Sequence, residues 1–384
     1  MRNQLVKNSL LIACVASISA CTGFFDKDNT PKPKALVSFT PQVKTHLLWK
    51  ASASAGAGKE YLKLTPAMNH HAIFTTSTNG VVTSIAKNNG HTNWQVNTGL
   101  MLTTGPGAGD NLIVVGSMHG NVVALSETTG RKVWSTTIDS ELMANPAVGK
   151  GYVIIKSLDG NVRALSTKDG HKLWSFKQSE PDLILRGASA PLIREDRLLS
   201  GFANGSLVSA SLASGQINWV QQIAVPEGAF AIERMIDIDA DPIIRGHHIY
   251  AATYQGNIAS LDWRTGNQRW THKISSYTGM TADDRSIYIS DAKSDVWSFG
   301  ADNGLVNWRQ TDLAARNVTG PADIGSYIVV GDAQGYLHWL DKRDGHFAAR
   351  DYLGSAIYAK PLVDNHVLYA LSNNGTLAAY QLGS

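Results

Sequence analysis

The sequence predicts an all-β chain, an eight-bladed β-propeller of four-stranded antiparallel blades whose ring is closed by an N-terminal strand. Three observations carry this. A unit marked by Gly, Gly, Trp and Pro at fixed spacings recurs eight times after Trp49. The 384 residues include 35 Gly and 10 Trp but only 17% charged residues, against roughly 25% in an average soluble domain, a bias toward turns and strands rather than long helices. The last unit also lacks a strand that Leu47-Leu48-Trp49-Lys50, at the other end, can supply. Length alone would suggest two or three domains, but a repeat overrides that prior.

Taken from the N-terminus, residues 1–20 read as an export signal. Met1 to Lys7 is cationic, Ser9 to Ala16 is a short apolar run, and Ile18-Ser19-Ala20 sets small residues before Cys21. The apolar run is too short to span a bilayer. Apolar-small-small-Cys resembles the bacterial lipoprotein signal, in which the cysteine is lipidated and becomes the first residue; the alternative is an ordinary signal cleaved after Ala20. Several acyl chains on Cys21 would anchor the chain stably, and Thr22, in place of the Asp that favours inner-membrane retention, points to the outer membrane. Cys14 and Cys21 are the two cysteines, so a zinc cage is excluded and the mature chain cannot form an internal disulfide. Residues 21–46, with Pro31, Pro33 and Pro41, read as a flexible tether with a reach of about 80 Å.

Residues 47–384 carry the repeat. Each Gly-Asn-x-x-Ala-Leu-like stretch opens at Gly80, Gly120, Gly160, Gly205, Gly256, Gly335 or Gly375, with Ser294 substituting in the sixth unit. Ten residues on stand Gly90, Gly130, Gly170, Gly215, Gly266, Gly304 and Gly345. Fourteen on stand Trp94, Trp134, Trp174, Trp219, Trp270 and Trp308, with Ala349 as the exception; fourteen before stands Pro in every unit but the sixth, which has Met280. Apolar runs such as Leu112-Ile113-Val114-Val115 precede each opening residue and Ala-Leu pairs follow it, giving four short strands per unit. A residue repeated in every blade marks structure, so function is expected where the repeat breaks. From Trp94 onward the Trp-to-Pro connectors run 12, 12, 17, 23, 10, 13 and 12 residues. The two longest are adjacent and should project from one rim.

The first insertion contains Asp182-Leu183-Ile184-Leu185-Arg186-Gly187 and the second Glu233-Arg234-Met235-Ile236-Asp237-Ile238-Asp239. Leu183 and Leu185 face one way in an extended loop. Apolar anchors beside an Arg and carboxylates suit a protein interface; leucines folded down as a plug over the ring mouth are the alternative. Enzyme signals are weak. Asp237-Ile238-Asp239-Ala240-Asp241 starts like a calcium loop, but Pro242 replaces the needed Gly and His248 the bidentate Glu. The His70-His71 and His247-His248 pairs lack a third ligand, and Gly105-Pro106-Gly107-Ala108-Gly109 opens no helix that could cradle phosphate. Neither Gly-x-Ser-x-Gly nor His-Glu-x-x-His occurs, so neither a catalytic constellation nor a metal site is expected. A net charge of +3 without a Lys/Arg block lacks the electrostatic footprint of a nucleic-acid binder.

The Ala-Leu-x-x-x-x-Gly-x-x-x-Trp pattern resembles the quinoprotein propellers, whose enzymes hold pyrroloquinoline quinone and calcium. Those dehydrogenases are longer and set an adjacent cysteine pair against the quinone, so no cofactor is expected here, and a periplasmic quinoprotein-type dehydrogenase is the alternative. The whole chain is more similar to the BamB family, lipoprotein subunits of the outer-membrane β-barrel assembly machinery. That resemblance is sharpest at Leu183 to Pro191, at Ile236-Asp237-Ile238-Asp239, and at Gly331-Asp332-Ala333-Gln334-Gly335-Tyr336-Leu337-His338-Trp339. It implies a non-enzymatic scaffold, lipid-anchored at Cys21 in the outer membrane and facing the periplasm. It further implies that Leu183, Leu185, Arg186, Asp237 and Asp239 contact the periplasmic POTRA domains of BamA. Unfolded outer-membrane proteins would be further partners, held by added strands.

Overall fold

A computed structural model describes residues 30–53, 56–57, 62, 64–185 and 188–383. The export signal, Cys21 and Arg186 lie outside the described residues. Among those described are eight four-stranded antiparallel sheets and one short 3-10 turn, Ala231–Arg234. The body from Pro33 to Ser384 is one compact unit. Seven sheets are runs of four consecutive strands; the eighth joins Leu362–Asp364, Val367–Leu371 and Thr376–Leu382 to Thr45–Ser52. The N-terminal strand therefore completes the last blade, as expected, and covers what would be an open edge.

Each blade is graded from axis to rim. Second strands such as Leu112–Gly116 are buried at every position, because neighbouring blades cover both faces. Outermost strands such as Lys172–Lys177 alternate, one face against the next blade and one in solvent. In the first blades the innermost strands approach very closely. A Cβ on Gly107 or Gly109 would stand 2.1 Å and 2.3 Å from the carbonyl oxygens of Pro146 and Val148. The glycine-rich run at 105–109 is thus a packing device.

The Gly and Trp slots are two halves of one joint. Trp94 lies on Gly130 of the following blade, where a Cβ would be 2.6 Å from the indole, and donates its Nε1–H to Glu127 O at 2.9 Å. Trp49, Trp134, Trp174, Trp270 and Trp308 make the same backbone bond one blade on. Within its own blade each Trp sits opposite a small residue, as in Trp134↔Ala124 and Trp308↔Ser298, at a β-bulge. The seventh blade reverses the sizes: Trp339 stands on the third strand opposite Ala349. This swap explains the missing Trp. An outer Trp there would need the Gly turn of the eighth blade, and that turn does not exist because the outer strand comes from the other end of the chain.

The tether is shorter than its composition suggests, which corrects the expectation that it runs to residue 46. From Lys34 onward the chain is laid along the seventh blade. Lys34 N–H donates to Ala314 O at 3.0 Å and Gln42 N–H to Ala348 O at 2.8 Å. Val37 and Phe39 pack on the core cluster containing Trp308 and Phe347. Composition resembled a linker because Pro31, Pro33 and Pro41 punctuate it, while the packing partners lie some three hundred residues away.

Candidate docking face

Outer strands end, and inner strands begin, at one end of the ring, so every blade-to-blade connector lies on that face. A cavity of about 120 Å³ opens there on the axis, lined by residues that precede the inner strands, among them Thr65, Thr103, Asn145, Ala190, Asp241 and Lys360. Both long connectors, from Trp174 to Pro191 and from Trp219 to Pro242, contribute to it, so both insertions share one rim.

They are also bonded to each other. The Leu185 N–H donates to Asp237 Oδ2 at 2.5 Å, and the Ala190 N–H to Asp241 Oδ1 at 2.7 Å. Ile236 and Ile238 are buried on either side of Asp237 and hold it in place. The base of the second insertion is fixed to the ring by Ile238 N–H to Phe202 O at 3.2 Å and Tyr254 N–H to Asp237 O at 2.9 Å.

The residues singled out by sequence thus separate into two groups. Leu183 is 44% exposed and Leu185 half-buried on the loop surface. Asp237 is 1% exposed and Asp239 8%; they lie beneath the loop rather than on it. An Asp-x-Asp motif between isoleucines gave no sign of which side faced inward. Asp237 spends one oxygen on the neighbouring loop, and its Oδ1 is buried without a partner among the described residues.

Beneath the latch lies a charged group that the sequence reading missed. Lys156 is buried, donates to Gly201 O at 2.5 Å and rests 4.9 Å from the Phe202 ring centre. Burial pulls its ammonium below the ordinary lysine range, against the opposing pull of Glu180, Asp239, Asp237 and Asp241. Burial pushes Asp237 up to about 7, with Asp239 adding to the rise and the Leu185 N–H opposing it. Glu180 is raised by the same cause. A signal for Lys156 was available: four residues before the opening residue, the other units carry Thr76, Gly116, Gly201, Ala252, Ser290, Gly331 and Leu371.

The tip of the second insertion was also missed. Val225, Phe230 and Ile232 are exposed, the last two at 69% and 62%. They are nonetheless held firmly. Glu233 Oε2 accepts the N–H groups of Ala229 and Phe230 at 2.9 and 3.1 Å, and Gln255 Nε2 donates to Ile232 O at 3.1 Å. Solvent-facing apolar side chains on a turn fixed against the fifth blade form a knob on the rim.

A family profile described as outer membrane protein assembly factor BamB matches residues 78–310. The outer membrane protein assembly factor BamB of Legionella pneumophila is 43% identical over 373 residues, covering 96% of this chain and 97% of that one. The chain belongs to the BamB family. The crystal structure of BamB from Moraxella catarrhalis superimposes with a TM-score of 0.79 at 27% identity, over 88% of this chain and 99% of that one. Quinohemoprotein alcohol dehydrogenase from Comamonas testosteroni shares the fold alone, with a TM-score of 0.70 at 13% identity over 88% of this chain and 76% of that one.

Within the BamB family ring, the axial cavity does not suit the quinone of those dehydrogenases. Its volume of about 120 Å³ is well below the roughly 300 Å³ at which small-molecule sites begin. Glu141, Asp239 and Asp241 line it, and among the described residues no group of three His, Cys, Asp or Glu side chains is placed to hold a metal ion. The cation present, Lys360, donates to Met280 O at 2.5 Å, and burial brings its pKa down to about 8.

Proposed function

We propose that this chain is a non-enzymatic assembly factor for outer-membrane β-barrel proteins, anchored through lipid on Cys21 at the periplasmic side of the outer membrane. Its rim of two long connectors docks on the POTRA domains of BamA. The observation that carries this reading is the Leu185–Asp237 bond. It ties the two insertions into one surface and leaves Leu183 open to a partner. Leu183 and Leu185 bury apolar area on docking, and Arg186 gives directional, charge-assisted bonds. Asp237 acts from beneath by fixing the loop, with Asp239 buried beside it, so loss of Asp237 removes docking without its touching BamA.

The test is capture of BamA from solubilised outer membranes. Leu183→Ala should weaken capture about five- to thirtyfold, as expected when a leucine anchor of about 1–2 kcal/mol is truncated. Arg186→Glu should abolish it. Both variants should unfold at the wild-type temperature. Undiminished capture by both would refute the assignment of this rim.

A further inference from the structure

The seventh blade carries a buried ionic chain that docking does not use, built on the Gly331 to Trp339 motif. Asp332 Oδ2 accepts from Arg316 Nε at 2.7 Å and from His338 Nε2 at 2.9 Å, while its Oδ1 accepts the N–H groups of Gln334 and Tyr336, each at 2.9 Å. His338 Nδ1 in turn accepts from Arg350 Nε at 3.2 Å. Asp332 and His338 are fully buried. These bonds fix the protonation pattern. A guanidinium only donates, so Nδ1 must offer a lone pair, and the proton of a neutral imidazole sits on Nε2 facing the carboxylate.

Both arginines reach out of this chain to the N-terminal segment. Arg316 Nη1 donates to Lys34 O at 2.9 Å and Arg350 Nη1 to Val37 O at 3.1 Å. Arg350 also lies 4.9 Å from the Phe39 ring centre and 5.2 Å from that of Phe347, and the two rings stack at 5.5 Å. Lys34 pairs with Asp312 at 2.7 Å. Residues 34–43 therefore form a strap with two carbonyls held by guanidinium groups whose own positions depend on Asp332 and His338. Its first bond is to Ala314, in the connector between the sixth and seventh blades, so the strap begins on the face that carries the docking loops.

We propose that His338 is the pin of a clasp that holds the strap to the seventh blade while the imidazole is neutral and releases it on protonation. A proton on Nδ1 removes the acceptor of Arg350 and sets a third cation beside Arg350 and Arg316, with Asp332 alone opposing. Tyr336 and Phe347 are the other rings against His338. The strap's own cation, Lys34, is paired with Asp312. Release would free about ten residues, roughly 35 Å of extended chain, and lengthen the reach between the ring and whatever holds its N-terminus. Burial, with Arg350 and Arg316 against Asp332, keeps the imidazole below its ordinary range. A depressed histidine pKa keeps the clasped state at full strength above about 6.5 and weakens it as pH falls below.

Hydrogen exchange of the full chain at pH 7.5 and 5.5, normalised to intrinsic amide rates, tests this. In the wild type the opening of residues 34–43 should rise severalfold, up to about tenfold, at pH 5.5. In His338→Gln, whose amide can donate to Asp332 and accept from Arg350 without titrating, it should stay constant. Phe39→Ala should exchange freely at both values and mark the released state. Strap protection that is equal at both values in the wild type, or lost equally in His338→Gln, overturns the proposal. Should His338→Gln fail to fold, NMR titration of His338 in the wild type decides: its midpoint must coincide with strap opening, and an imidazole that stays neutral while the strap opens overturns it too.

Discussion

Leu185 and Asp237, 52 residues apart in sequence, are joined by a hydrogen bond of 2.5 Å from backbone N–H to carboxylate. The bond crosses from the connector before the fourth blade to the connector before the fifth, so the leucine loop takes its shape from its neighbour. The other Asp237 oxygen is buried without a partner among the described residues, which makes the charged form of the carboxyl costly to hold.

That cost predicts a pH signature. The Asp237 carboxyl is raised to about 7 by burial and by Asp239, above its ordinary value near 4. The folded state therefore holds an extra proton between about pH 4 and 7, and this contribution to stability is lost as pH rises through 7. Asp237→Asn keeps the acceptor for Leu185 and carries no charge. It should be more stable than the wild type at pH 8, by on the order of a few kcal/mol, with the difference falling to about a third of that at pH 5 and vanishing below about pH 4. Thermal unfolding at the two values measures it; a variant less stable at pH 8 would contradict the buried-charge account. Asp237→Ala also removes the charge but leaves the Leu185 N–H without its acceptor, so it should be less stable than Asp237→Asn by about 1–3 kcal/mol at either pH.

The Trp–Gly joint can be isolated by comparing two glycines with the same backbone. Gly130 has φ +69 and meets the Trp94 indole, whereas Gly99 has φ +72 and open space within 4 Å of where a Cβ would stand. Gly99→Ala should cost only the backbone term, roughly 1 kcal/mol. Gly130→Ala should cost about 1–3 kcal/mol more, because the indole must move within a packed interface. Equal losses in denaturant unfolding would mean that the indole does not wedge the blades.

The ring was legible in sequence because a propeller is local. Apart from the closing strand, each strand pairs with its chain neighbour, and every joint between blades except that from the seventh to the eighth uses Gly and Trp at a fixed offset, so geometry is written as spacing. Even the Ala349 exception carried information, since Trp339 supplies the missing bulk from the facing strand. The rim was legible only as connector length. That Asp237 faces inward depends on Phe202 and Tyr254 from other blades, and alternation in Ile236-Asp237-Ile238-Asp239 cannot say which side is buried. The strap was hidden for a related reason: Val37 and Phe39 look like stray apolar residues among prolines until Phe347 and Arg350 are brought beside them.

Closure of the ring should be a large part of its cooperativity. Trp49 seals the joint between the last and first blades through Gly90 and a 3.0 Å bond to Lys87 O. Trp49→Ala should destabilise by about 3 kcal/mol, near the low end for a tryptophan because it is half-buried. Removing residues 45–52 should do more, exposing the edge of Thr376–Leu382 to pairing between molecules. Light scattering and calorimetry check this; a monomeric, cooperatively unfolding truncation would show that the eighth blade needs no fourth strand.

The knob on the second insertion separates binding from stability most cleanly. Phe230 and Ile232 already face solvent, so Phe230→Ser with Ile232→Ser removes little that the folded chain buries, and unfolding should shift by less than about 0.5 kcal/mol. If the knob belongs to the docking surface, capture of BamA should fall by a factor comparable to that of Leu183→Ala. Glu233→Ala adds a control on rigidity: both apolar side chains remain, but the turn loses the carboxylate that accepts from Ala229 and Phe230. Binding should then weaken through the added cost of ordering the loop. Capture unchanged in the double variant would confine docking to the leucine loop and leave the knob without a part in it.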